Sequence, residues 1–251
     1  MQSPWLVLAL AFGALWLSEL IGGSVLKTSD HLDAGSREDF GIIVNATLTL
    51  LALLIGFSFS MAITRYDQRK NYEEAEANAI GTEYVRADLL PSDDAAKVRA
   101  LLRQYLGQRI LFYTTRNGEQ LQQVNADTAQ LQNELWSAVR VPAATQPTPV
   151  LALAISGMND VLNSQGYTQA AWWNTIPPAA WALMAAIAIC CNLLVGYGAR
   201  PSRAKAYLML VLPLVVSVAF YLIADLDSPR SGIIRVQPQN LLSLSQSLHL
   251  H

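Results

Sequence analysis

The residues able to do chemistry are few, and their spacing does not suit catalysis. Only His31, His249 and His251 occur, and no Ser-His-Asp, Cys-His or metal-ligand grouping accompanies them. Cys190 and Cys191 are adjacent, a spacing that fits neither a metal site nor a disulfide framework, so both read as small apolar packing residues. Neither an enzyme nor a bound cofactor is expected. A formal net charge of −2 also excludes a nucleic-acid partner, since phosphate binding needs a basic surface. What remains is a chemistry of ions. At helical spacing Asn45, Thr49, Leu53, Phe57, Ser60 and Thr64 share one face, with bulky apolar groups between polar ends. A helix lining a pore has this pattern, because an apolar ring can gate by dewetting. Ordinary contacts between membrane helices use the same small polar residues. Arg65 follows the stripe and either concentrates anions at a pore mouth or anchors the span, the role assigned to Arg69. Glu73, Glu74 and Glu76 come next, as carboxylates ringing an axial vestibule or as a solvated face.

These residues need elements to position them, and the composition says which. Of 251 residues, 52% are hydrophobic and 14% charged, well below the quarter or so of charged residues usual in soluble domains. The charges are segregated. Trp5–Ile21, Phe40–Thr64, Ala179–Ala199 and Ala206–Ala224 are apolar stretches, and only the first holds an Asp, Glu, Lys or Arg, namely Glu19. Roughly 20 helical residues cross the hydrocarbon core, so four transmembrane helices and a lipid-bilayer partner are expected. Glu19 stands near enough to the end of its span to reach the interface. The start Met1-Gln2-Ser3-Pro4 lacks the basic residues of a signal peptide.

Four spans put both termini on one side with the insert from Arg65 to Pro177. The flanking cations are nearly balanced: Arg65, Arg69, Lys70, Arg230 and Arg235 on the insert side, Lys27, Arg37, Arg200, Arg203 and Lys205 on the other. The insert reads as helices over Tyr66–Leu90, over Ser92 (as N-cap) to about Thr115, over about Glu119–Val141, and over about Val150–Ser164. A linker is expected at Ala143–Pro149. Trp172 and Trp173 suit the bilayer interface, and Pro213 should kink the fourth span. The division expected is 1–64 for the first two spans, 65–177 for the insert, 178–225 for the last two spans and 226–251 for a C-terminal tail.

The run Gly56-Phe57-Ser58-Phe59-Ser60-Met61-Ala62-Ile63-Thr64-Arg65-Tyr66 resembles the end of the second membrane helix of bestrophins, where a Gly-Phe pair precedes Thr-Arg-aromatic by the same interval. The segments Arg65-Tyr66-Asp67, Glu76-Ala77-Asn78-Ala79-Ile80-Gly81-Thr82, Arg86-Ala87-Asp88-Leu89-Leu90-Pro91, Ile176-Pro177-Pro178 and Asp225-Leu226-Asp227-Ser228-Pro229-Arg230-Ser231-Gly232 are similar to a bestrophin-like family of bacterial membrane proteins. This resemblance implies an all-α membrane protein in the bacterial inner membrane, with termini and insert in the cytoplasm. It also implies a homopentamer around a central pore lined by the second helix. The family's three-residue neck falls on Phe57, Leu53 and Thr49, of which Thr49 is polar where the family is apolar. Animal bestrophins bind calcium through an acidic run after the fourth helix. Here only Asp225 and Asp227 stand there, followed by Arg230, fewer than the six or more oxygen ligands calcium takes.

The reading that follows is an oligomeric channel passing small anions such as chloride. Its rival is a non-conducting scaffold or sensor whose insert binds a partner. A transporter would call for inverted repeats, which are not visible.

Overall fold

The computed structural model describes residues 3–24, 34–145, 147–198 and 209–249. Among them the chain is all helix and turn: α1 (Pro4–Ser24), α2 (Ala34–Arg86), a 3-10 turn (Ala87–Leu89), α3 (Ser92–Thr114), α4 (Gly118–Thr145), α5 (Pro149–Trp173), α6 (Pro178–Gly198), α7 (Val211–Asp227) and α8 (Gln239–His249). Lys27, His31, Arg200, Arg203, Lys205, Ala206 and His251 lie outside the described residues. Among the described residues, three helical stretches are long and apolar enough to cross a membrane, within Pro4–Ser24, Arg37–Leu89 and Pro149–Gly198. α7 is apolar but only 17 residues long.

Local signals account for the boundaries. No proline interrupts 34–86, so α2 runs through 53 residues and the first insert helix continues the second apolar stretch, as expected. Pro91 is the N-cap of α3, one residue before the expected cap at Ser92, and Asp93 and Asp94 occupy the first turn, where the helix dipole favours acids. The Asn117 side chain accepts the Glu119 N–H at 2.9 Å to start α4. Thr148 accepts the Leu151 N–H at 3.2 Å, with Pro149 in the first turn of α5. α4 continues past Val141 through Pro142 to Thr145, taking part of the expected linker, and α5 reaches Trp173. Pro213 lies in the first turn of α7, and the helical run is interrupted at Leu210, three residues before it, in the span where a kink was expected.

The chain forms two compact units, Met1–Tyr66 with Thr175–Arg235 and Asp67–Asn174 with Val236–His251. The residues expected to form one C-terminal tail are thus divided between them.

In the first unit Leu15, Leu51, Met184, Ala188, Cys191, Val216 and Phe220 form one apolar cluster. Ala62, Ile176, Ile223 and Leu226 form a second. α1 and α6 approach very closely: a Cβ on Gly22 would collide with the Leu193 carbonyl oxygen, and one on Gly196 with the Glu19 carbonyl oxygen. Small residues let helix backbones meet in this way. Glu19, expected to reach the interface, is fully buried instead, with neither carboxylate oxygen hydrogen-bonded among the described residues.

In the second unit α3 packs on α4 and α4 on α5. Val98, Leu102, Tyr105, Leu106, Leu135, Val139, Ala154, Met158 and Val161 are all buried. Trp172, expected at the bilayer interface, belongs to this core, its ring 4.9 Å from Phe112 and 5.4 Å from Tyr113. Trp173 is exposed.

The close seam between α1 and α6 predicts that Gly22→Val or Gly196→Val destabilises the protein by about 1–3 kcal/mol, the usual cost of overpacking. Thermal unfolding in detergent measures it, and parent-like midpoints would contradict the seam.

Candidate functional site

Helix α2 has two distinct sides, set by its periodicity. At 100° per residue, Leu51, Ser58 and Ala62 centre on one direction, and all three are buried. Leu51 joins the cluster containing residues of α6 and α7, and Ala62 joins the one with Ile176, Ile223 and Leu226. Asn45, Thr49, Leu53, Phe57, Ser60 and Thr64 centre roughly 180° away. All six are exposed on the chain's own surface, Leu53 at 53% and Phe57 at 62%. The structure therefore keeps the stripe together and leaves it uncovered by the protein's own chain. Gly56, beside it, has nothing within 4 Å of where a Cβ would stand.

The stripe's hydroxyls are committed in a definite sense. Thr49 Oγ1 donates to the Asn45 carbonyl at 2.8 Å, and Thr64 Oγ1 to the Ser60 carbonyl at 2.9 Å. Such back-bonding to the preceding turn leaves the oxygen lone pairs as each hydroxyl's free polar feature.

Below the stripe the charges turn inward. Arg65 Nη1 lies 3.3 Å from Asp227 Oδ1, and the arginine side chain is 14% exposed. Asp227 also accepts the Ile176 N–H at 3.0–3.1 Å with both oxygens. One buried carboxylate thus holds the turn before Pro177-Pro178 and neutralises the arginine that ends the stripe. Asp225 accepts the Ile233 and Ile234 N–H groups at 2.7 and 2.8 Å. Gly232 is needed beside it, since a Cβ there would come within 2.6 Å of the Asp225 carbonyl oxygen. The two calcium candidates are therefore occupied by protein donors in a folded-back turn. Asp227 has Arg65 as an ion-pair partner.

Glu73 and Glu76 are covered by their own chain. Both are buried within the second unit, as is Arg69, expected at the headgroups. Arg69 Nε donates to the Ala171 carbonyl at 3.4 Å. Glu73 caps α8: Oε1 accepts the Asn240 and Leu241 N–H groups at 2.9 and 3.0 Å, and Oε2 accepts Asn240 Nδ2 at 2.6 Å. A carboxylate at a helix N-terminus satisfies orphan donors and complements the dipole. Glu76 accepts from Arg109 through Nε and through Nη2, the latter at 3.5 Å, from Tyr113 Oη at 3.3 Å and from Thr168 Oγ1 at 3.2 Å. Both members of the Glu76–Arg109 pair are fully buried. Burial, reinforced by the neighbouring Glu76 charge, raises the Tyr105 and Tyr113 hydroxyls above the ordinary tyrosine range, keeping both neutral.

Sequence reasoning missed Arg109, Tyr113, Thr168 and Glu83, although a signal existed for two of them. Arg109 falls in the apolar stripe Val98, Leu102, Tyr105, Phe112 of α3, and Glu83 continues the spacing Arg69, Glu73, Glu76, Ile80 of α2. A charge at a position the period assigns to the core marks a buried ionic contact.

The comparisons agree with this architecture. The Bestrophin-like domain matches residues 6–241. No curated protein matches by sequence. Among solved structures, a bacterial bestrophin homologue from Klebsiella pneumoniae carrying a tryptophan-to-alanine mutation has TM-score 0.66 at 13% identity, covering 99% of this chain and 97% of that one. The same homologue phased with zinc has TM-score 0.65 at 13% identity, covering 97% and 96%. A leucine-to-threonine variant has TM-score 0.63 at 14% identity, covering 98% and 97%.

Two stability outcomes follow from the buried charges. Arg109→Met leaves Glu76 as an uncompensated interior charge and costs about 3–5 kcal/mol, most of which the double variant with Glu76→Leu recovers. Denaturant unfolding in detergent reads both; a single variant as stable as the parent would refute the pairing. Glu73→Ala uncaps α8 at a cost of about 0.5–2 kcal/mol, seen as faster hydrogen exchange over 239–249, and unchanged exchange would show the cap to be idle. With the domain match spanning nearly its whole length, the chain belongs to the Bestrophin-like family.

Proposed function

We propose that this membrane protein is an oligomeric ion channel of the bacterial inner membrane, with four transmembrane helices per subunit and the segment 65–177 as a helical cytoplasmic insert. In this reading several copies, five by the family resemblance, surround an axis lined by Asn45, Thr49, Leu53, Phe57, Ser60 and Thr64, and small anions such as chloride pass along it. One observation carries the reading: the stripe lies opposite the side of α2 that packs within the subunit, and it is exposed from end to end.

Physical chemistry gives the stripe its roles. Rings of Leu53 and Phe57 make an apolar constriction, where stripping water from an ion sets the barrier. Phe57 can offer the positive edge of its ring to an anion. Asn45, Ser60 and Thr64 rehydrate the ion on either side, and Thr49 makes the outer end of the constriction wetter. The Arg65–Asp227 pair places a compensated charge at the inner end.

A second reading, passage of small cations, is favoured by one specific observation. The Thr49 and Thr64 hydroxyl protons are donated to backbone carbonyls, so lone pairs are what these side chains have left to offer an ion.

Mass measurement in detergent tests the assembly, and a monomer would end the pore proposal. In planar bilayers, replacing both Leu53 and Phe57 by Ala is expected to raise conductance about twofold or more, by widening and wetting the constriction. Unchanged current from a correctly assembled variant would remove these residues from the pore. With asymmetric potassium chloride, reversal near the chloride equilibrium potential supports anion passage, and reversal near that of potassium supports the second reading.

A further inference from the structure

Among the described residues of the second unit, one buried acid is given no hydrogen-bond donor by the packing. Glu83 is fully buried on α2, and neither carboxylate oxygen has a hydrogen-bond partner among the described residues. It contrasts with Glu73 and Glu76 on the same face, whose oxygens are all occupied. Glu83 is pressed against α5 at Gly157. A Cβ on that residue would overlap Glu83 Oε2 and come within 2.6 Å of Arg86 Nη1. Carboxylate and guanidinium therefore crowd one point on α5, yet Arg86 has its ion pair elsewhere, with Asp160 Oδ2 at 3.9 Å. That pair is open to water, Arg86 being 34% and Asp160 65% exposed.

We propose that Glu83 and Asp160 compete for Arg86, making the α2–α5 contact of the second unit a proton-operated switch. With Glu83 neutral, the acid stays inside without needing a cation, and Arg86 remains on Asp160. When Glu83 loses its proton to solvent, an unpaired interior carboxylate is too costly to leave alone. Arg86, already beside Gly157, turns inward to it, releases Asp160, and loosens the seating of α5 on α2. The charges acting on Glu83 are Arg86 from its own helix and Asp160 from α5. On the neighbouring elements, Asp88 of the 3-10 turn and Arg99 of α3 pair with each other.

The pH range is within reach of experiment. Burial raises the Glu83 carboxyl from 4.5 to about 8, with Arg86 opposing and Asp160 adding to the rise. Between these values the folded chain holds a proton that the unfolded chain lacks. The stability this supplies is complete at low pH, is lost as pH rises to about 8, and is level above.

The test uses the full chain in detergent, unfolded thermally across about pH 5 to about pH 9, for the parent and for Glu83→Gln. Across that range the parent's midpoint should fall by about 3 °C or more relative to the variant. Parallel pH profiles would overturn the proposal. Should Glu83→Gln not fold, hydrogen exchange on the parent decides. Peptides from 149–173 should gain exchange at high pH beyond the intrinsic rate increase, and no excess would equally overturn it. Asp160→Asn removes the competing carboxylate and should move the transition to lower pH; an unmoved transition would overturn the exchange of partners.

Discussion

Helix α2 can bury only one of its sides within this chain, and the other features follow from that division. Within the first unit Leu51, Ser58 and Ala62 of α2 are buried, and within the second Arg69, Glu73, Glu76, Ile80 and Glu83 are. The membrane portion meets apolar partners from α6 and α7. The later portion meets partners that include Arg109, Tyr113, Thr168 and the start of α8. Within the first unit, packing on one side of α2 leaves the opposite side, with Thr49, Leu53 and Phe57, for lipid, for other copies or for ions. That is why the functional reading comes to rest on the stripe.

The same division explains where the charge goes. A buried carboxylate is tolerated when donors surround it, and Glu76 with Arg109, Tyr113 and Thr168 meets that condition. Glu73 does so with backbone N–H groups, and Asp225 and Asp227 do so in the turn after α7. Arg65 is drawn into the last of these and so ends the stripe as part of an ion pair. Glu83 lacks donors among the described residues, beside an arginine already engaged by an exposed aspartate. An interior acid in that position holds its proton near neutral pH, and this sets it apart from the structural carboxylates around it.

Family membership and the all-helical architecture were legible from residue patterns, because apolar runs of spanning length and short motifs around Arg65, Pro91, Pro177 and Gly232 are local properties. The period of α2 already put Asn45, Thr49, Leu53, Phe57, Ser60 and Thr64 on one face. Other readings failed where a local rule met a distant partner. Trp172 looks interfacial by type, yet Phe112 and Tyr113 take it into a core. Glu73 and Glu76 look solvated by charge, and Glu19 looks able to reach water by its place near a helix end. All three lie inside because neighbours from elsewhere in the sequence close over them.

The sequence by itself determined the helices, their apolar stretches, the stripe and the family, since each depends on residues within a few turns of one another. Tertiary structure alone decided that the stripe is opposite the packed side, that Asp227 serves Arg65 and Ile176, that Glu76 belongs to Arg109, and that Glu83 finds no donor among the described residues. The physical reason is that a charge's environment is set by whatever packs around it, and those groups stand 33 residues away for Glu76 and Arg109 and 162 for Arg65 and Asp227. Periodicity within one helix says which side a residue takes, but only the folded chain says what waits on that side.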